Sequence, residues 1–288
     1  MRIGFIGVGV MGGPMAKNLM ACGHGVAVYT RTRKKAAEAV EAGAEWAGSV
    51  AECAKGAEAV ITIVGFPKDV EEVYLGSGGL LDSAERGAVL IDMTTSRPDL
   101  AVRIAGEAAR RGLSALDAPV SGGDAGAKAG TLAIMVGGDE GAFLRMRPVF
   151  EAMGKNVRYM GPAGSGQHTK MANQIAIAAT ISGVCECLSY ARAVGLDPRA
   201  VVELISAGAA SSWQLTTNAP KILDGNFSPA FYLKHFVKDL AIAEAEAGAR
   251  ELELPALNAA LAKYRELEAL GYGDAGIQAL AKGYSGGW

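Results

Sequence analysis

The chain of 288 residues is 50% hydrophobic and 20% charged, a composition that supports two folded domains and is not typical of disorder. Its formal net charge of −2 does not supply the basic face that nucleic-acid binding requires. The most apolar stretch, residues 175–184, is much shorter than the roughly 20 residues of a membrane-spanning helix, and no basic leader precedes the first predicted strand. We therefore expect a cytoplasmic protein that binds neither nucleic acid nor membrane.

Apolar runs separated by helical segments fill the first half of the chain. This alternation predicts an α/β fold with a doubly wound, mostly parallel sheet of the Rossmann type. The predicted strands are residues 3–6, 25–29, 59–64, 88–93, 113–117, 132–136 and 157–159. Because the carboxyl ends of parallel strands meet at one edge of such a sheet, we expect the loops after residues 6, 63, 93 and 117 to face one crevice.

A glycine-rich turn directly follows the first predicted strand. Gly7, Gly9 and Gly12 have the G-x-G-x-x-G spacing, in which the glycines permit a tight turn, the approach of a pyrophosphate and close helix packing. We predict that this turn binds the phosphates of a dinucleotide; an ordinary strand–turn–helix corner without ligand is the alternative. The predicted cofactor contacts here are Gly7, Val8, Gly9, Val10, Met11 and Gly12.

The end of the second predicted strand bears on the type of dinucleotide. NAD sites usually place an acidic residue there, whereas this chain has Thr30, Arg31 and Thr32 and no acid until Glu38. Because a guanidinium binds a phosphate in bidentate fashion, Arg31 favours NADP over NAD. A basic turn that is simply solvated, or a site that accepts both cofactors, would give a similar sequence.

The fifth predicted strand leads into a second glycine pair. Ser121 and the amides of Gly122 and Gly123 are candidates for a nest that binds a carboxylate. A purely structural Gly-Gly turn is the alternative.

Strand patterns stop at about residue 162, and alanine-rich helical patterns follow. We therefore place domain boundaries at 1–162 for a cofactor-binding domain and 163–288 for an all-helical domain that begins with a long helix over about 165–194. Further helices are predicted from residues 198, 211, 233 and 255, and a frayed tail over 284–288.

The long predicted helix carries three polar residues on one face, because Lys170, Asn173 and Gln174 stand at i, i+3 and i+4. A lysine among apolar neighbours loses hydration, which suits it to proton transfer. The amides offer hydrogen bonds to substrate oxygen atoms, and a lysine that extends to solvent is the alternative. A later helix carries Lys234 and Lys238 four residues apart on one face, with Asp239 next to Lys238. This face either points a cation and an acid into a cleft or is an ordinary solvated face.

The four cysteines and three histidines lack the Cys-x-x-Cys and His-Glu-x-x-His spacings of metal sites. We expect no metal and no disulfide.

Four segments, taken in order, resemble the β-hydroxyacid dehydrogenases, a family that includes 3-hydroxyisobutyrate dehydrogenase and the tartronate semialdehyde, succinic semialdehyde and glyoxylate reductases. The segments are residues 4–12, 117–123, 164–174 and 238–239, and the resemblance spans essentially the whole chain. It implies a Rossmann domain, an all-α second domain, and homodimers or homotetramers that pack through the helical domains.

The resemblance also implies roles for single residues. Lys170 resembles the family's catalytic acid/base, Asn173 a residue that orients the substrate, and residues 121–123 its carboxylate site. The further residues that we assign on this basis are Gly65, Phe66, Pro67, Thr95 and Lys238 to the cofactor and Gln174, Trp213 and Asp239 to the substrate. Trp213 as a core residue is the alternative to a pocket wall. Gln174 departs from the family, which usually has a second asparagine at that position.

These patterns together predict an NADP(H)-dependent oxidoreductase that interconverts a small 3-hydroxy or 4-hydroxy acid and its semialdehyde, with NAD as a possible cofactor. A decarboxylating sugar-phosphate dehydrogenase would need a cationic cluster that is not evident here. A non-catalytic dinucleotide sensor is the other alternative, and such a protein would have no need of Lys170.

Overall fold

The computed structural model describes residues 1–285 and 287–288, and it divides into two compact units, Met1–Lys170 and Met171–Trp288. Gly286, in the tail for which fraying is predicted, lies outside the described residues. The division falls within a helix that begins in the first unit. The boundary at 162/163 stays a prediction.

The first unit is built on one sheet of nine strands. The strands are β1 Arg2–Ile6, β2 Gly25–Tyr29, β3 Glu45–Trp46, β4 Ala59–Thr62, β5 Val89–Asp92, β6 Ser114–Asp117, β7 Val120–Ser121, β8 Leu132–Gly138 and β9 Gly154–Gly161. Their order is β3-β2-β1-β4-β5-β6-β8-β7, and β9 pairs with β8. The first six strands are parallel in the 3-2-1-4-5-6 order of dinucleotide-binding folds, which confirms the predicted fold class.

The sheet differs from the prediction at its ends. The two-residue strands β3 and β7 are too short to give a periodic pattern, and the sequence did not predict them. Strand β8 runs antiparallel to β6, so the sheet is parallel from β3 to β6 but mixed beyond.

Alternate residues of the central strands supply two separate cores. Ile61 and Ile91 belong to one cluster, whereas Val60 and Leu90 belong to the other. Because successive side chains of a strand point to opposite faces, both faces of the sheet are buried, which explains why β4 and β5 are continuous apolar runs.

Helices cover the sheet and connect its strands. In the first unit they are α1 Gly12–Ala21, α2 Ala37–Glu41, α3 Val50–Ala54, α4 Pro67–Leu75, α5 Leu80–Ser83, α6 Pro98–Arg110, α7 Gly123–Ala129 and α8 Glu140–Glu151. A 3₁₀ turn at Arg33–Ala36 precedes α2.

Helix α9, Ser165–Ala193, runs across the division, and the second unit is all helical after it. The later elements are α10 Pro198–Ile205, a π-helical turn at Gln214–Asn218, α11 Ala219–Leu223, α12 Leu233–Gly248, α13 Pro255–Ala269, and 3₁₀ segments at Tyr272–Asp274 and Ile277–Gly283. The predicted starts at residues 198, 233 and 255 are confirmed. The segment predicted from 211 becomes helical at the π-helical turn.

Helix α9 corrects the expectation that no segment is long enough to span a membrane. By length and composition alone, α9 is long and apolar enough to span a membrane, although the sequence estimate considered only residues 175–184. The core helix of a folded unit meets the same criterion. Met171, Ile181 and Leu188 of α9 are buried in the core of the helical unit, so its apolar character has a structural explanation.

Candidate active site

The glycine turn joins β1 to α1, and its glycines differ in their surroundings. At Gly7 and Gly12 a Cβ atom would lie closer than 3.0 Å to backbone oxygen atoms of Ile63 and Gly7, and Gly7 also has a φ of +98°. At Gly9 a Cβ would meet no atom within 4 Å. Packing therefore requires glycine at the first and third positions, whereas the second leaves the backbone open, as the approach of a pyrophosphate demands. The turn thus fits a dinucleotide.

The other predicted residues of this turn vary in exposure. Val8 is buried in the core, Met11 is half-buried and Val10 is exposed. Because the Val8 side chain is buried, we expect Val8 to contact a cofactor only through its backbone.

Arg31 lies just beyond β2, between Thr30 and Thr32, and its side chain is paired with Asp69. Its Nη2 donates to Oδ1 of Asp69 at 2.8 Å. Asp69 is the third residue of α4, and its Oδ2 accepts the N–H of Phe66 at 3.0 Å. The segment of Gly65, Phe66 and Pro67 therefore forms the start of α4, at the same sheet edge as the glycine turn.

Gln167, in the first turn of α9, is bonded to the loop after β5. Its Oε1 accepts the N–H of Ser96 at 2.9 Å, and its Nε2 donates to the carbonyl oxygen of Thr94 at 2.7 Å. Thr95, the predicted nicotinamide contact, lies between these two anchored residues and is half-buried.

Asp117, at the end of β6, holds the same turn of α9. Its two carboxylate oxygens accept the N–H groups of Gly164 and Gln167, each at 2.8 Å. A Cβ at Gly166 would lie closer than 3.0 Å to the carbonyl oxygens of Asp117 and Met135. Close packing of α9 against the sheet edge therefore requires glycine at 166, whereas Gly164 adopts a φ of +90°, which favours glycine.

Two buried carboxyl groups stand side by side in this region, since Asp92 and Asp117 are paired in register on β5 and β6. Burial raises the pKa of Asp92 to about 6, and hydrogen bonds from Thr94 and Thr62 oppose the shift. Burial likewise raises the pKa of Asp117 to about 6, against the opposing N–H groups of Gly164 and Gln167. Desolvation of the charged form is the main cause of both shifts.

Lys170 lies on α9, about one helical turn after Gln167, and is only 6% exposed.

At the same edge of the sheet, Ser121 ends β7 and is half-buried. Gly122 and Gly123 adopt φ values of +134° and +63° and lead into α7. The positive φ values are a sufficient reason for two glycines in this turn. The binding of a carboxylate by their N–H groups stays a prediction.

The second unit links four of the predicted residues through two hydrogen bonds and an ion pair. Asn173 Nδ2 donates to Oε1 of Gln174 at 2.7 Å, and Gln174 Nε2 donates to Oδ2 of Asp239 at 2.5 Å. The other oxygen of Asp239 lies 3.0 Å from Nζ of Lys238. Gln174 and Asp239 are buried, so these contacts form a fixed structure linking α9 to α12.

The neighbouring lysines of α12 have different environments. Lys238 is 12% exposed beside buried Asp239, whereas Lys234 is nearer the surface and pairs with exposed Asp274 at 2.5 Å. Lys234 therefore lies on a solvated face of the helix, whereas Lys238 does not. Trp213, before the π-helical turn, is 61% exposed, so its interpretation as a core residue is wrong.

Within residues 1–285 and 287–288, the structure has no group of three histidine, cysteine or acidic residues that could hold a metal ion. The four cysteines are free thiols.

Comparison with known proteins gives the family. A family model described as the NAD binding domain of 6-phosphogluconate dehydrogenase matches residues 2–161, and a model described as the NAD-binding part of NADP-dependent 3-hydroxyisobutyrate dehydrogenase matches residues 164–284. This chain belongs to the β-hydroxyacid dehydrogenase family. It is an NAD(P)-dependent hydroxyacid dehydrogenase.

Individual relatives are similar to this chain over nearly its whole length. An uncharacterized oxidoreductase of Bacillus subtilis, YkwC, is 54% identical and covers 97% of both chains. A probable mitochondrial 3-hydroxyisobutyrate dehydrogenase-like protein of Arabidopsis thaliana is 46% identical over 97% of this chain and 84% of its own. The solved structure of 3-hydroxyisobutyrate dehydrogenase from Mycobacterium tuberculosis with L-serine is 31% identical, with a TM-score of 0.89 over 98% of each chain.

Sequence reasoning did not identify Asp69, Asp92 or Gln167. Asp69 and Arg31 are 38 residues apart, and only the adjacency of β2, β1 and β4 brings them together. Gln167 lies inside a segment that the sequence did single out, so a polar residue in a glycine-flanked helix start was the available signal.

Proposed function

We propose that this dehydrogenase uses NADP(H), with NAD(H) as the alternative, to interconvert a small 3-hydroxy or 4-hydroxy acid and its semialdehyde. The observation that carries the proposal is Lys170, a lysine only 6% exposed, one turn beyond the helix start that Asp117 and Gln167 hold. A non-catalytic dinucleotide sensor has no need to bury a lysine at such a cost in hydration.

The proposed roles in the reaction follow from the chemistry of each side chain. When bound, the nicotinamide supplies the hydride in reduction and accepts it in oxidation. In reduction, Lys170 donates a proton to the oxygen that becomes the alcohol; in oxidation, neutral Lys170 removes the alcohol proton. Ser121, Gly122 and Gly123 bind the substrate carboxylate, and Asn173 and Trp213 contact the rest of the substrate. Gln174 and Asp239, which the resemblance also assigns to the substrate, act in this proposal by holding Asn173 in place.

The proposed cofactor residues are those of the glycine turn, residues 7–12, with residues 30–32 and 65–67 on the adenosine side and Thr95 and Lys238 near the nicotinamide. The absence of an acid at the end of β2 supports NADP, and Arg31 offers a cation for its 2′-phosphate. Asp69 places an acid beside that cation.

We further propose a homodimer or homotetramer that packs through the helical domains, acting in the cytoplasm. Large apolar side chains remain exposed on the helical unit, among them Tyr190 and Leu204. Their exposure in a single chain supports a covering partner.

The test is a set of initial rates with NADPH and NADH against methylmalonate, tartronate and succinate semialdehydes and glyoxylate, with serine as the substrate for oxidation. We expect turnover of one substrate that Lys170→Ala lowers at least about 100-fold, the scale of general acid/base catalysis. Calorimetric titration of the variant should show that NADPH still binds. The control is Lys55→Ala, which removes an exposed lysine.

Two outcomes would overturn the proposal. Binding of cofactor without turnover of any substrate in the panel would favour the sensor. Unchanged turnover in Lys170→Ala would remove the lysine from the mechanism.

A further inference from the structure

The ion pair between Arg31 and Asp69 is asymmetric. The Arg31 side chain is 68% exposed, whereas that of Asp69 is 7% exposed. Asp69 is also fixed at its second oxygen, which accepts the Phe66 N–H at the start of α4. The carboxylate is therefore a buried group at the sheet edge, held by two hydrogen bonds, and the guanidinium is its exposed partner.

This pairing changes what Arg31 offers to a ligand. A guanidinium that already donates to a carboxylate at 2.8 Å has fewer N–H groups left for a ligand, and the carboxylate offsets part of its charge. An incoming dianionic phosphate must share the guanidinium with Asp69 and is repelled by the same carboxylate. A ribose hydroxyl in the same place carries no charge and meets no such repulsion.

Two other cations of this region have contacts of their own. Arg33 stacks over the ring of Trp46 at 5.5 Å, and Lys17 pairs with Glu38 at 2.9 Å. Arg31, directly at the end of β2, is the cation that Asp69 contacts, while Lys34 and Lys35 lie further along the chain in the 3₁₀ turn.

We propose that Asp69 is a specificity-determining residue, which weakens the preference for NADP(H) over NAD(H) by occupying Arg31. This inference rests on the proposed function, because it assumes that the sheet edge binds these cofactors. The end of β2 has no acidic residue of its own, but Asp69 places a carboxylate beside it. The site can therefore accept both NADP(H) and NAD(H).

The test is calorimetric titration of the full chain with NADPH and with NADH, for the wild type, Asp69→Asn, Arg31→Gln and the double variant. Asparagine keeps an acceptor for the Phe66 N–H but removes the charge. We expect Asp69→Asn to bind NADPH about three- to tenfold more tightly, the scale of one partly screened charge beside a phosphate, with NADH within about twofold. In the Arg31→Gln background the gain should be smaller, because only the direct repulsion between the Asp69 carboxylate and the phosphate is then removed.

Two controls separate specificity from structure. Glu71→Gln removes a charge from the same helix by breaking the exposed pair with Arg103, and it should leave both affinities unchanged. Asp69→Ser, with a shorter acceptor for the cap, should shift the NADPH to NADH affinity ratio in the same direction as Asp69→Asn.

The outcomes distinguish the inference from the function on which it rests. An unchanged or lowered NADPH to NADH affinity ratio in Asp69→Asn overturns the inference alone. A gain that persists fully without Arg31 also overturns it, because Asp69 would then act without the ion pair. Failure of the wild type to bind either nucleotide overturns the proposed function and the inference together.

Discussion

At the scale of single residues, one motif combines two physical requirements. Gly7 and Gly12 lie against backbone oxygens that leave no room for a Cβ, whereas the same position at Gly9 faces open space. A change at Gly12 therefore acts on the fold, and a change at Gly9 acts on whatever approaches the turn. The spacing of the three glycines does not reveal this difference.

Gly12→Ala and Gly9→Ala form a matched pair of variants. We expect Gly12→Ala to lower the free energy of unfolding by about 1–3 kcal/mol, because its Cβ forces the turn and α1 apart. Gly9→Ala should keep the wild-type melting temperature but bind NADPH about tenfold more weakly, since its methyl group stands where the pyrophosphate approaches. Thermal unfolding and calorimetric titration measure the two effects, and full NADPH affinity in Gly9→Ala would contradict the assignment.

At the scale of elements, the contact between α9 and α12 depends on a residue that departs from the family pattern. Gln174 bridges Asn173 on its own helix and Asp239 on α12, and both ends of its amide are used. Its extra methylene relative to asparagine lets one side chain reach both partners. The longer residue therefore fits a supporting role in this chain.

Gln174→Glu tests this bridge without a change of shape. The new carboxyl accepts from Asn173 as before, but when ionised it repels Asp239, and when protonated it donates to Asp239 as the amide does. We expect a kcat/KM at least about tenfold below wild type at pH 8, on the scale of an unpaired buried charge, with recovery as the pH falls. A pH profile identical in shape to that of the wild type would contradict the bridge, and Gln174→Leu, which has no titration, is the control.

At the scale of the whole molecule, the buried carboxyls of Asp92 and Asp117 make stability depend on pH. Each has a folded-state pKa of about 6, above the ordinary value of 3.8. Between these two values the folded protein binds more protons than the unfolded chain, so these groups lower stability as the pH rises from about 4 to about 6. Above that range their contribution is constant.

Asp92→Asn isolates this effect. The asparagine carbonyl can still accept from Thr62 Oγ1 and the Thr94 N–H, as Oδ1 of Asp92 does at 3.0 Å in both cases, but it cannot ionise. We expect the variant to gain about 2–3 kcal/mol relative to the wild type between pH 4 and pH 7, because the full pKa shift of Asp92 from 3.8 to about 6 is equivalent to about 3 kcal/mol. Urea unfolding at a series of pH values gives the difference, and a constant offset across the range would show that Asp92 does not titrate there.

The sequence by itself determined the fold class, the family and the helix starts at residues 198, 233 and 255. These features rest on local patterns: alternating apolar runs, fixed glycine spacings, and proline at the first helical position, each of which acts within a few residues along the chain. Short elements such as β3 and β7 lacked such a pattern, because two residues give no period.

The tertiary structure decided which polar groups meet. Arg31 and Asp69, Gln167 and Thr94, and Gln174 and Asp239 are each dozens of residues apart, and strand order or helix packing brings each pair within hydrogen-bonding distance. Burial was decided in the same way, since the exposure of Trp213 and the burial of Lys170 depend on distant segments of the chain. Charge neutralisation and desolvation depend on distances in space, so a spacing in sequence names the candidate residues while only the packed chain sets their chemistry.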